Sequence, residues 1–203
     1  MRLEDKIRIQ RAIEVAEIQE GDKILDLGCG KTYKLLRYIY PDPFEYYCGV
    51  DICVENSIYK KYESVKWDLE KGLPPKVKEK SFDVIFLLEV LEHIENFKTL
   101  LQECKKVLSD TGRIIISTPS ANRIVYGDVF DGIGEDKDHI HCFKKSNIRN
   151  LAKKCNLKVT KIVGTYIRFP PLTRKYWVIP SRQTVYNEVL VYRLDRTEGE
   201  KET

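Results

Sequence analysis

At 203 residues, with 42% hydrophobic and 33% charged side chains, the chain is long enough to bury the core of one ordinary domain. A formal net charge of +4 is too mild for a dedicated nucleic-acid binder, which carries a more basic balance or a clustered patch, so no nucleic acid is expected as partner. No apolar run approaches the roughly 20 residues of a membrane span, and the six cysteines, without a C-x-x-C pair, read as reduced thiols of a cytoplasmic protein rather than a disulfide framework.

Residues 1–20 are charged, helical in pattern and unlike a secretory signal. The run Lys23-Ile24-Leu25-Asp26-Leu27 reads as a buried parallel strand, because a strand covered by helices on both faces does not alternate polar and apolar residues. It ends in Gly28-Cys29-Gly30, where the chain turns into a following segment. Glycine permits the positive φ such a turn needs and lets a ligand approach the backbone. Asp26, within the apolar run, is costly to bury unless something hydrogen-bonds to it. Together these features mark a cofactor crevice at the carboxyl end of a first strand. Two phosphate-binding patterns fail here. A P-loop ending at Gly30-Lys31-Thr32 needs a glycine where Leu25 stands, and G-x-G-x-x-G needs one at Tyr33.

A second apolar run, Tyr46–Val50, ends in Asp51, roughly 20 residues past the glycine turn, where a doubly wound fold places the acid that receives a ribose's hydroxyls. Ile52 offers an apolar surface beside it. Capping a helix expected over 55–61 is the competing role for Asp51. Val65–Leu69, Phe82–Leu88 and Gly112–Thr118 supply further strands, the last stopped by Pro119.

Four segments read together carry a resemblance. Ile24–Gly30, then Asp68-Leu69 with Leu73-Pro74, then Phe82-Asp83-Val84-Ile85, then Leu88-Glu89-Val90-Leu91-Glu92-His93-Ile94 resemble, in order, the motifs of class I S-adenosylmethionine-dependent methyltransferases. Thr32 departs from the pattern, since many members carry a further glycine there. The resemblance implies one α/β domain over 1–203. Its doubly wound, Rossmann-like sheet has seven mostly parallel strands, helices on both faces and an antiparallel last strand. It implies S-adenosyl-L-methionine as cofactor, with Asp26, Gly28, Cys29, Gly30, Asp51, Ile52, Asp68, Leu69 and Leu88 around it and Asp68 reading the adenine amino group. It implies methyl transfer to oxygen or nitrogen of a small molecule, a lipid or quinone precursor, or a sugar. No Asn-Pro-Pro-Tyr follows the fourth strand, which argues against the exocyclic-amine methylases of that family. An NAD(P)-dependent oxidoreductase on the same sheet and a catalytically inactive methyltransferase-like subunit are the alternatives.

The acceptor side is expected past the fourth strand. His93 stands there, and histidine is the side-chain type that most readily exchanges a proton near neutral pH, which suits a general base; a packed or capping histidine is the bland alternative. Methyl transfer is a displacement at a sulfonium carbon, so positioning alone can carry much of the catalysis. In Asp138-His139-Ile140-His141-Cys142-Phe143, His and Cys are metal-donor types, and His139 and His141 share a strand face. A zinc site takes three or four protein ligands, and no further cluster is evident, so no metal is expected. The resemblance instead implies that His139 faces the active site. Residues 120–140, with glycines from Gly127 to Gly134, and the aromatic and basic segment 166–182 are expected as substrate-side loops. Ser146 is a plausible N-cap for a helix whose lysines form its wet face, Leu157–Val163 a strand, Val185–Leu194 a final strand at the sheet edge, and Asp195–Thr203 a frayed tail.

Overall fold

The computed structural model describes residues 2–40, 44–121, 139–169, 177–184 and 187–197. After helix α1 (Leu3–Ala16), the apolar runs become strands β1 (Lys23–Leu27) and β2 (Tyr46–Asp51), the hairpin β3 (Ser57–Tyr59) and β4 (Tyr62–Lys66), then β5 (Phe82–Leu88) and β6 (Leu108–Pro119). The remaining strands are β7 (Leu157–Gly164), β8 (Tyr166–Phe169), β9 (Trp177–Pro180) and β10 (Val189–Arg196). The other helices are α2 (Leu36–Ile39), α3 (Pro75–Lys78), α4 (Phe97–Val107) and α5 (Lys145–Lys154). The main sheet runs β3-β4-β2-β1-β5-β6-β10-β7. Strands β4, β2, β1, β5 and β6 are mutually parallel, and β10 is antiparallel to both of its neighbours.

Successive side chains of each strand point to opposite faces, and the helices complete two cores accordingly. Ile24, Val84, Phe86, Ile115 and Val191 face α1, which presents Ile9, Ala12, Val15 and Ala16. Leu25, Ile85, Leu87, Ile114, Ile116 and Tyr192 face Leu100, Leu101 and Cys104 of α4 and Ile148 and Leu151 of α5. The lysines of α5 stay on its outer face, as expected for an amphipathic helix. The order in which successive strands are added reverses between β1 and β5, which opens the crevice at the carboxyl ends of these parallel strands.

Several expectations are corrected. The main sheet has eight strands, not seven: residues 57–59 do not enter a helix but fold back on β4 through Lys60, whose φ of 54° closes a two-residue turn. β-Branched and aromatic Ile58, Tyr59 and Tyr62 favour that extended pairing. The final strand does not lie at the edge; it is inserted between β6 and β7. Val189–Tyr192 are buried in succession and need cover on both sides, whereas β7 carries exposed residues and takes the edge. Ser146 lies inside α5, which starts at Lys145; Asn147 Oδ1 accepts the Lys144 N–H instead. Asp195 and Arg196 belong to β10 rather than to a tail. Within 166–182, β8 and β9 pair as a small second sheet, and Tyr166 packs with Ile7 of α1. The loop over 122–138 with its glycines Gly127–Gly134, the segment 170–176, Val185 and the tail 198–203 lie outside the described residues. Among the described residues, no helix is long and apolar enough to cross a membrane.

Candidate active site

The turn after β1 is held from the neighbouring strand. Gly28 N–H donates to Val50 O at 2.8 Å and Cys29 N–H to the same oxygen at 3.3 Å. Gly28 and Gly30 adopt φ of 75° and 65°, the left-handed region that costs a side chain steric strain. A Cβ on Gly28 would lie 2.5 Å from Val90 Cγ2, so this glycine also makes room for the segment that follows β5; a Cβ on Gly30 would meet only open space. Gly30 N–H donates to Asp51 Oδ2 at 2.9 Å, and Cys53 N–H donates to Asp51 Oδ1 at 2.8 Å. Each carboxylate oxygen thus spends one lone pair on backbone, and among the described residues no further hydrogen bond takes the other. Ile52, 61% exposed, stands beside it as an apolar plate.

Asp26 is 3% exposed, and Tyr47 Oη donates to its Oδ2 at 2.6 Å. Burial pushes the Asp26 carboxyl up to about 7, against the Tyr47 hydrogen bond that lowers it, with the nearby Asp51 charge adding to the rise. Burial likewise pushes the Cys29 thiol up, so its thiolate is disfavoured and its part in the turn is played by its backbone. Asp68 caps the 3-10 turn Leu69–Lys71, accepting from Glu70 N–H at 3.0 Å. Leu69 sends its side chain into the core. Leu88 ends β5 half-buried, paired with Ser117.

Val90, packed over Gly28, leads into a second 3-10 turn, Leu91–His93. The His93 and His139 rings meet edge to face with centroids 4.7 Å apart. Their meeting is enforced by backbone: Ile140 N–H and His141 N–H both donate to Glu92 O, at 2.9 and 3.1 Å. Ala121 N–H donates to Phe143 O at 3.0 Å, and Ser120 bridges Phe143, fastening the same segment to the end of β6. His141 turns away and packs its ring against Phe97, and Cys142 is exposed. The sequence grouping of His139, His141 and Cys142 is therefore split: the structure joins His139 to His93 and to the fully buried Glu92 instead.

Sequence reasoning missed Glu89. This residue holds φ of 58°, a left-handed conformation rare outside glycine and often found at functional sites. Its N–H donates to Ser117 O at 3.0 Å and its Oε1 accepts from Ser117 Oγ at 2.9 Å. Its Oε2 lies 3.5 Å from Arg8 Nη1, and Arg8 in turn pairs with Asp5 at 3.0 Å. No local sequence pattern marks a non-glycine residue for that conformation.

A glycine turn that leaves open space at Gly30, and a pinned carboxylate with free lone pairs on the adjacent strand, fit a ribose-bearing cofactor whose tail runs over the turn. This is the arrangement of a doubly wound nucleoside-cofactor enzyme. The chain belongs to the family described as "Methyltransferase domain", whose model matches residues 3–162, and it is an S-adenosylmethionine-dependent methyltransferase. It is 27% identical over 185 residues to the ubiquinone biosynthesis O-methyltransferase of Dechloromonas aromatica (strain RCB), covering 83% of this chain and 75% of that one. Among solved structures, it matches a chain from the Haloferax volcanii complex between a methyltransferase and its activator with TM-score 0.72 and 15% identity, over 97% of this chain and 92% of that one. It also matches Burkholderia thailandensis 1,6-didemethyltoxoflavin-N1-methyltransferase, solved with its acceptor and S-adenosylhomocysteine bound, with TM-score 0.62 and 16% identity over 94% and 79% of the two chains. The family match displaces the oxidoreductase alternative.

Proposed function

We propose that this enzyme methylates an oxygen or nitrogen of a small-molecule acceptor, a lipid or quinone precursor or a sugar. The observation that carries the reading is the His93–His139 pair, assembled on the segment that packs over Gly28. The O-methyltransferase relative and the N-methyltransferase fold neighbour support an acceptor of this size and chemistry.

On this reading, Gly28, Cys29 and Gly30 pass their backbone under the amino-acid part of the cofactor. Asp51 receives the ribose hydroxyls, Ile52 covers one adenine face and Asp68 accepts from the adenine amino group. Leu69 and Leu88 shape the walls, and Asp26 with Tyr47 supports the turn from below. S-Adenosylmethionine supplies a methyl carbon on a cationic sulfonium, which leaves as a neutral thioether. The chain's own task is to hold the acceptor atom in line and to take up the proton the acceptor releases, for which His93 and His139 are the available imidazoles.

Residues 1–203 act as one methyltransferase domain in the cytoplasm. All six cysteines are free thiols, which suits a reducing compartment. The test is calorimetric titration with S-adenosylhomocysteine, followed by a screen of phenolic, amine and sugar acceptors with labelled methyl donor. Transfer only to protein or nucleic acid would overturn the small-molecule reading.

A further inference from the structure

We propose that Glu92, His93 and His139 form a binding site for a divalent transition-metal cation on the acceptor side of the cleft. One carboxylate oxygen and two imidazole nitrogens, one from each residue, lie within 4.8 Å of one another. Donors around a shared cation sit about 2.0–2.2 Å from it. Converging from the present spacing takes side-chain movements of roughly an ångström, on the scale of small rotamer adjustments.

The backbone has already done the larger part of the assembly. Glu92 supplies one donor through its side chain, while its carbonyl accepts from Ile140 N–H and His141 N–H at 2.9 and 3.1 Å. The residue providing the first ligand therefore anchors the segment providing the third. The far end of that segment is tied to β6 through Ala121, Ser120 and Phe143. A site supported from two strand ends is pre-organised, which a functional metal site requires.

The chemistry of the set selects the ion. Two imidazoles with one carboxylate suit zinc, manganese or iron(II) better than magnesium or calcium, which prefer oxygen donors throughout. Glu92 is fully buried, which keeps its carboxylate within the protein interior beside the two imidazoles. Three protein ligands leave coordination positions open, the pattern of catalytic rather than structural sites. The sequence spacing concealed this set, because it grouped His139 with His141 and Cys142 and placed Glu92 on another segment.

The open position gives the site its use, and this step rests on the proposed methyl transfer. With their lone pairs committed to the cation, His93 and His139 no longer take up the acceptor's proton as in the metal-free reading; an acceptor hydroxyl bound to the cation instead loses its proton to solvent more readily. The resulting oxygen lone pair forms the new bond to the methyl carbon, and the electron pair of the broken carbon–sulfur bond stays on sulfur. The acceptor class is then narrowed to molecules with an oxygen donor.

The experiment uses the full chain after chelator treatment, titrated calorimetrically with zinc chloride and with manganese chloride. His139→Ala, Glu92→Gln and a control, His141→Ala, are run beside it, with circular dichroism melts confirming that each is folded. One equivalent bound by the unaltered chain and by His141→Ala, weakened at least ~10-fold in His139→Ala and Glu92→Gln, is the expected result. Absence of saturable binding, or binding undiminished in both ligand variants, overturns the proposal. S-Adenosylhomocysteine titrated into the same samples separates the two ideas. Nucleoside binding without cation binding sinks this site alone; cation binding without nucleoside binding leaves the site standing and sinks the methyl-transfer reading.

Discussion

Gly30 N–H donates to Asp51 Oδ2 at 2.9 Å, which makes the turn after the first strand and the acid at the end of the second a single hydrogen-bonded unit. The second oxygen of the same carboxylate is held by Cys53 N–H. Asp51 is thus the clasp that sets the shape of the glycine turn and, on the proposed reading, also the acid that receives the ribose hydroxyls. Asp51→Ala removes both functions and leaves two backbone donors to find water. The expected result is a loss of S-adenosylhomocysteine affinity of at least ~10-fold, since each charge-assisted hydrogen bond contributes about 1.5–3 kcal/mol. Asp51→Asn keeps one acceptor oxygen and should lose less. Calorimetric titration of both variants checks the order; equal affinity in all three proteins would remove Asp51 from the binding site.

The two glycines of the turn should respond differently to the same substitution. Gly30→Ala places a methyl group in open space and incurs only the left-handed backbone cost, roughly 1–2 kcal/mol. Gly28→Ala bears the same backbone cost and also drives its Cβ into Val90 Cγ2. Its loss of stability is expected to exceed that of Gly30→Ala, and adding Val90→Ala should recover part of the difference. Urea unfolding of the three variants measures this. If Val90→Ala restores nothing, Gly28 does not make room for the segment that follows β5.

Asp26 makes stability depend on pH. Its folded value of about 7 lies above the unfolded value near 3.9, so between these values the folded chain binds more protons than the unfolded one. The preference for the folded state is therefore greatest below about pH 4 as far as this group is concerned, and falls as pH rises toward 7. Above that range the penalty is complete, on the order of a few kcal/mol. Asp26→Asn stays neutral, can still accept from Tyr47 Oη, and should exceed the parent in stability most at pH 8, by less near pH 5 and not at all below about pH 4. Denaturant midpoints at these pH values decide the matter. A difference between the two proteins that does not change with pH would show that Asp26 is ionised throughout.

What was legible in the sequence was local. Asp26, Gly28, Gly30 and Asp51 sit within short motifs at strand ends, and a parallel β1–β2 pair with one crossover brings them together with little freedom. Asp68 belongs to the same class, one strand further along. The pairing of Glu92 with His139 depends instead on how the chain returns from β6, and only the hydrogen bonds from Ile140 and His141 to Glu92 O reveal it. The β-branched run Val185–Leu194 announced a strand, and such a run carries no information about which strands flank it. The hairpin at Lys60 was hidden because Glu55–Lys61 is polar enough to read as a helix, and the decisive residue adopts a left-handed conformation that lysine rarely takes.

At the opposite end of the sheet, Arg113 serves the fold rather than the site. Its guanidinium lies 2.6 Å from Asp22 Oδ2 and donates to the carbonyls of Ala16 and Glu17, so it closes the end of α1 onto β6. Both charged groups are buried, and Asp22 Oδ2 also accepts from Gln19 N–H at 2.7 Å. Breaking such a pair from one side leaves a buried charge uncompensated and costs about 3–5 kcal/mol. Arg113→Ala should therefore lower the urea midpoint sharply. Arg113→Met with Asp22→Asn, which removes both charges and retains bulk, should lose much less. Neither residue lies at the carboxyl ends of β1, β2 or β5, so the folded fraction of each variant should bind S-adenosylhomocysteine with unchanged affinity. A weakened affinity in folded Arg113→Met/Asp22→Asn protein would mean that the anchoring of α1 is transmitted to the cofactor crevice, through Arg8 and Glu89 as the only ionic contact between α1 and the end of β5 among the described residues.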